Sequence, residues 1–125
     1  TSVAFDAGKN IIHAALTILK YPSLEVVEQN GVTQEITFDY ISGLLTFREG
    51  APLMSLFRKT SQDIDLIVFH SHGQSHPRKF GLASHLGVLL DVPSIGVSNK
   101  MLVGSHEHLS QQKQSEKQHN KPYMI

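Results

Sequence analysis

The stretch from Asp65 to Gly87, DLIVFHSHGQSHPRKFGLASHLG, constrains this chain more than any other. Leu66-Ile67-Val68-Phe69 has the length of a strand covered on both faces, and the chain turns polar abruptly at His70. A turn dense in histidine follows, and then a small-residue segment able to start a helix. In an open α/β sheet, ligands bind beyond the carboxyl ends of strands, where the loops leave the layer together and helix N-termini point inward. The turn after Phe69 is therefore the first place to look for a site.

The segments around this stretch set the expected order. Ser2-Val3-Ala4-Phe5 reads as a short strand that delivers Asp6 to the strand end or the sheet centre. Ile11 to Leu19 is largely apolar and its period does not separate strand from helix; we take it as a strand stopped by Tyr21-Pro22-Ser23. Residues 24–28 and 32–37 read as two β-rich segments around a turn at Asn30-Gly31, so the chain is expected to open as three or four antiparallel strands. Tyr40 and Ile41 fall on a loop before a Ser42-Gly43 turn. A helix is expected to run through Leu53, Met54, Leu56 and Phe57, with Arg48 and Glu49 at its edge and Ser61-Gln62-Asp63 at its end. A second helix, from about Gly81 to Leu90, would pack through Leu82, Leu86, Val88 and Leu89 until Asp91-Val92-Pro93 breaks it. Ser94 to Ser98 is a further strand that leads to Lys100.

Composition bounds the function classes. At 125 residues the chain is one ordinary domain. Acidic and basic residues balance at 11 each, so no global field draws it to nucleic acid or an anionic membrane, and such binding would rely on a local patch or a bound cation. The absence of cysteine rules out a thiolate zinc site and a cysteine nucleophile and fits a reducing compartment, so a cytoplasmic location is expected. No apolar run approaches the roughly 20 residues needed to cross a bilayer, and no membrane partner is expected. Beyond Gly104 the composition turns polar, with Leu109 as the sizeable apolar residue, so we divide the chain into a domain at 1–104 and a polar tail at 105–125. Its last residues, from Pro122, could dock back as a short strand. His106, His108 and His119 are expected in solvent, and His13 and His85 packed or hydrogen-bonded.

In such a fold Asp6, Glu49 and His70 would come near one another. Clustered carboxylates repel, and a divalent cation normally stabilises them; Mg²⁺ suits oxygen ligands and would serve phosphoryl chemistry. Lys100 could add a positive charge there. By spacing alone, a solvated glutamate and a capping aspartate would look the same.

Three segments carry a likeness to a known family: YISGLLTFREG at residues 40–50, HGQSHPRKFGLASHLGVLLDVPSIGV at 72–97, and the Lys100 that follows. The chain resembles endonuclease V, the inosine-specific nuclease, from about Val3 to Gly104. That resemblance implies an α/β, RNase H-like mixed sheet flanked by helices and cleavage of DNA or RNA at the second phosphodiester 3′ to inosine, in repair of deaminated bases. It implies Mg²⁺ or Mn²⁺ held by Asp6, Glu49 and His70. Tyr40 and Ile41 match the wedge that enters the duplex where the base leaves the stack. Gly73 and the helix start at Gly81-Leu82 match the pocket for the flipped base. His76 and Lys100 match positions close to the scissile phosphate, and Arg78 is a candidate phosphate contact. A monomer is expected.

The chain departs from the family at four places. His70 stands where the family has a metal-binding aspartate, which favours Mn²⁺, Zn²⁺ or Fe²⁺ over Mg²⁺. Asp39 stands where the wedge usually begins with proline. The helix before the first strand is missing, as are the further strand and late histidine beyond Gly104, so the chain reads as truncated at both ends relative to the family. These departures define an alternative, a catalytically impaired protein that still binds inosine or nucleic acid. A third reading is a zinc hydrolase that uses the His-x-His of His70 and His72, and His76 has a metal-like spacing that would complete a zinc trio.

Overall fold

The computed structural model describes residues 1–6, 8–105 and 123–124. Strands β1 (Ser2–Asp6), β2 (Ile11–Lys20) and β3 (Glu25–Glu35) form an antiparallel meander, followed by helix α1 (Leu45–Phe57). Strand β4 (Ile67–Phe69), helix α2 (Leu82–Leu90) and strand β5 (Ser94–Ser98) make a parallel crossover unit, and β6 (Tyr123–Met124) pairs antiparallel with β5. The amino group of Thr1 donates to the Val68 carbonyl at 2.8 Å, which sets the start of β1 beside β4. Both helices pack on the same face of the strands. Ala14 and Leu16 from β2, Leu53 and Leu56 from α1, Ile67 and Phe69 from β4, and Leu82 and Leu86 from α2 share one buried cluster.

The Asn30-Gly31 turn is not there. Strand β3 runs through both residues, with Asn30 opposite Leu16 and Gly31 opposite Ala15. Glu28, Asn30, Val32 and Gln34 all lie on the half-buried side, and the residues between them are exposed. This unbroken two-residue period holds the register, and it outweighs the local turn preference of Asn-Gly. The chain reverses earlier, where the Leu24 amide closes back on the Lys20 carbonyl at 2.7 Å.

Helix α1 starts earlier than expected, at Leu45, so Arg48 and Glu49 lie inside it. It runs through Gly50 and Pro52 because Leu45, Glu49, Leu53 and Leu56 stand at i, i+4, i+8 and i+11 and share the face turned to the core. The helix also stops at Phe57, short of Ser61.

Two further expectations fail for the same reason: the sheet is covered on one side. Val68 in β4 is 46% exposed rather than buried on both faces. In α2 the buried residues are Leu82, Ala83, Leu86 and Gly87, while Val88 and Leu89 face outward. Small residues centre that stripe because α2 lies close on β5. A Cβ at Gly87 would stand 2.9 Å from that of Ser94, whose hydroxyl donates to the Ala83 carbonyl at 2.8 Å.

The tail from 106 to 122 lies outside the described residues, and His106, His108 and His119 with it. The pairing of Tyr123 with Ser98 and of Met124 with Val97 is the docking strand that the last residues suggested. We predict that Leu86→Ala lowers unfolding free energy by about 2–5 kcal/mol, and that Leu89→Ala changes it by less than about 0.5 kcal/mol. Urea unfolding midpoints measure both; equal losses would mean that the outward face of α2 is also packed.

Candidate active site

The stripe that buries α1 also buries an acid. Glu49 occupies a core-facing position and is 7% exposed. Burial pushes its carboxyl up to about 7, against a smaller opposing effect of the Arg48 guanidinium next to it. That guanidinium stacks over the Phe5 ring, 4.4 Å from its centroid, and ties α1 to β1. Glu49 and His70 line one small cleft with Thr1, Ser2, Val3, Leu53, Phe69 and Leu82. Its volume is about 10 Å³, the room of one water. His70 is exposed, immediately beyond the end of β4.

Asp6 is elsewhere. Its Oδ1 accepts from the amides of Gly8 at 3.1 Å and Lys9 at 3.2 Å, and Oδ2 lies 3.8 Å from the Lys9 ammonium. It caps the β1–β2 turn, four strand positions from Ser2, or about 13 Å at 3.3 Å per residue. The expected triad of Asp6, Glu49 and His70 is therefore not assembled. Among the described residues, no group of three histidine, cysteine, aspartate or glutamate side chains could hold a metal ion. This also removes the zinc trio of His70, His72 and His76. The ring of His72 is bonded to the Lys100 carbonyl at 2.7 Å. Lys100 is exposed and does not line the cleft.

The segment between β4 and α2 is shaped by backbone contact. Gly81 donates its amide to the Gly73 carbonyl at 2.9 Å, and Ala83 donates to that of His72 at 3.1 Å. A Cβ at Gly81 would stand 2.8 Å from the Gly73 oxygen. One at Gly96 in β5 would stand 2.6 Å from both the Gly73 nitrogen and the Ser71 oxygen. Gly73 borders an open groove of about 850 Å³ between α2 and β5, with Gln74, Phe80 and Ser84. Gly81 and Leu82 do not line it, and Leu82 instead floors the cleft of Glu49.

His76 is buried, with its pKa lowered by burial first, then by the positive charge of Arg78 and by His72. Its Nδ1 accepts from the Arg78 amide at 3.2 Å. The Arg78 guanidinium donates to the Gly43 carbonyl at 3.3 Å. Tyr40 and Ile41 are exposed on the loop before α1. His13 bonds Thr33 at 2.9 Å and His85 packs on Phe80, as expected of structural histidines. Sequence reasoning missed the backbone role of Gly96, for which a glycine inside a strand was the available signal. It also missed Ser71, whose buried hydroxyl has no partner among the described residues.

The Glu49 carboxyl is neutral more readily in the fold than in the unfolded chain. Its share of stability is full below its ordinary value of 4.5 and is lost as pH rises through about 7. Glu49→Gln is therefore expected to raise the unfolding free energy by about 1 kcal/mol at pH 8 and to change it little at pH 5. Thermal or urea melts at the two pH values test this; an equal gain at both would exclude the buried charge as its cause.

The profile of the Endonuclease V family matches residues 1–122. Endonuclease V of Gloeobacter violaceus is 46% identical over 96 residues, which is 77% of this chain and 39% of that protein. The structure of endonuclease V from Streptomyces avermitilis superposes with a TM-score of 0.80 at 39% identity, over 85% of this chain and 46% of that one. That of Ciona intestinalis endonuclease V, in complex with a 24mer DNA containing an inosine followed by a ribo-adenosine, gives 0.78 at 26% identity, over 90% and 52%. The chain spans about half or less of the length of these relatives and shares their RNase H-like fold. By sequence and by fold, it belongs to the endonuclease V family.

Proposed function

We propose that residues 1–104 are the nuclease unit of a divalent-cation-dependent endonuclease of the endonuclease V type, with 105–125 as its tail. It would nick DNA or RNA at the second phosphodiester 3′ to inosine, as a cytoplasmic monomer in repair of deaminated bases. The observation that carries this reading is Glu49: a carboxylate in a core position beside a strand-end histidine, with no counter-ion among the described residues but its helix neighbour. A carboxyl with its pKa raised by burial, in a cleft beside a titratable partner, marks a candidate functional site. The inosine-containing DNA in the Ciona relative supports the substrate class.

Glu49 and His70 are the residues that would hold the cation. A cation that keeps several waters and takes phosphate oxygens from its substrate fits a single carboxylate, and the imidazole favours Mn²⁺ over Mg²⁺. When bound, it would lower the pKa of a water and neutralise the charge that develops on the phosphodiester. The protein must first give up the Glu49 proton, so cation affinity should rise as pH passes about 7. Tyr40 and Ile41, exposed ahead of α1, serve as the wedge, and Gly73 lets a flipped base approach the backbone. Lys100, exposed after β5, is left to meet phosphate directly.

His70 in place of an aspartate favours a second reading, an inosine-binding protein with impaired cleavage. One assay separates the two: cleavage of inosine DNA and inosine RNA with Mg²⁺ and with Mn²⁺, beside gel shifts on the same strands. Cleavage with Mn²⁺ above Mg²⁺ is expected, and His70→Asp should raise the Mg²⁺ rate by about tenfold or more, since a carboxylate attracts the cation where imidazole does not. Inosine-selective binding without cleavage under any cation removes the first reading and supports the second, and equal binding to inosine and control strands removes the second.

A further inference from the structure

The loop that carries Tyr40 and Ile41 is held at both ends. At one end the Phe38 and Phe47 rings pack with centroids 5.6 Å apart, joining the loop to α1. At the other the Leu44 amide closes on the Ile41 carbonyl at 3.0 Å, a turn that Gly43 permits with φ at +80°. Between these ties Tyr40 is 66% exposed.

The heel of that turn rests on the segment between β4 and α2. The space where a Cβ of Gly43 would lie is 3.8 Å from Cε1 and Nε2 of His76. Arg78 spans the same junction, with its guanidinium on the Gly43 carbonyl and its amide on His76. One guanidinium nitrogen of Arg78 is committed to the Gly43 carbonyl, although the side chain stays exposed. We propose that Arg78 is a positioning residue: it struts the Tyr40–Gly43 turn against His76 and so fixes the height of the wedge above the β4–α2 loop. This rests on the wedge reading of Tyr40 and Ile41, and it moves Arg78 from phosphate contact to support. The consequence for function is geometric. A wedge must be stiff against the loop that receives the displaced base, because a turn free to swing would follow the stack instead of opening it.

The chain contains no tryptophan, so Tyr40→Trp installs a single tryptophan at the tip, excited at the red edge where Tyr21 and Tyr123 do not absorb. Its acrylamide quenching and fluorescence anisotropy are read without nucleic acid, in the Arg78 background and with Arg78→Ala and Arg78→Lys. Arg78→Ala should raise the quenching constant and lower the anisotropy, and Arg78→Lys, which keeps a donor, should restore part of both. Circular-dichroism melts check that each variant is folded. With Arg78 intact or replaced by alanine, binding of an inosine oligonucleotide is then measured against salt. A strut predicts weaker binding, by about tenfold for the loss of one charge-assisted hydrogen bond, with an unchanged salt slope. Unchanged quenching and anisotropy in Arg78→Ala would overturn the strut, and a salt slope reduced by about one would then return Arg78 to phosphate contact. The absence of any inosine preference in the parent chain would remove the wedge reading and leave the fluorescence result standing on its own.

Discussion

The site depends on a backbone contact that tolerates no side chain. Between β4 and β5 the chain leaves the sheet, crosses over itself and enters α2, and it does so with Gly73, Gly81 and Gly96 almost in van der Waals contact. A methyl group at Gly81 or Gly96 would overlap carbonyl oxygens of the crossing strand, which cannot move without moving β5. Everything placed around the strand ends follows from that crossing. His72 reaches the Lys100 carbonyl, Ser75 reaches that of Val103 at 2.6 Å, and Arg78 reaches that of Gly43. One loop therefore sets the positions of two others, the segment after β5 and the turn before α1, through side-chain donors on backbone acceptors.

Helix α1 shows how an acid is built into a core stripe. Its face toward the sheet needs an apolar residue at every third or fourth position, and at Glu49 the chain supplies an acid instead. The cost of burying the charge appears as the raised pKa, and the burial of Leu53, Leu56 and Phe69 in the shared core cluster offsets it. The cleft beside it has room for little more than a water. A group held this way has few orientations.

Much of the fold was legible because hydrophobic runs and turn residues fall where physics puts them. The strand at β4, the crossover to α2 and the strand at β5 follow from apolar runs separated by glycine and proline. The errors come from local signals that long-range structure overrules. Asn-Gly was read as a turn because the pairing of β2 with the whole of β3 is invisible in a short window. Val88 and Leu89 were read as core because hydrophobicity does not show that Ala83 and Gly87 are where α2 must approach β5. Of the expected trio, the structure brings Glu49 and His70 to one cleft and leaves Asp6 outside it. A carboxylate that ends a strand and one that caps the next turn have the same sequence, and the pairing of Asp6 with Ile11 across a short reversal decides between them.

The histidines of the central stretch make the same point more sharply. By spacing, His70, His72 and His76 resemble a set of metal ligands, since alternate residues share a face on a regular strand. The strand ends at Phe69, however, and beyond it each residue points where an irregular backbone sends it. His70 faces the Glu49 cleft, His72 bonds the segment after β5, and His76 is buried under the turn before α1. Three identical side chains within seven residues thus serve three different neighbours. A spacing argument for a metal site holds only as far as the element that gives the spacing its geometry, and here that element stops one residue before the first histidine.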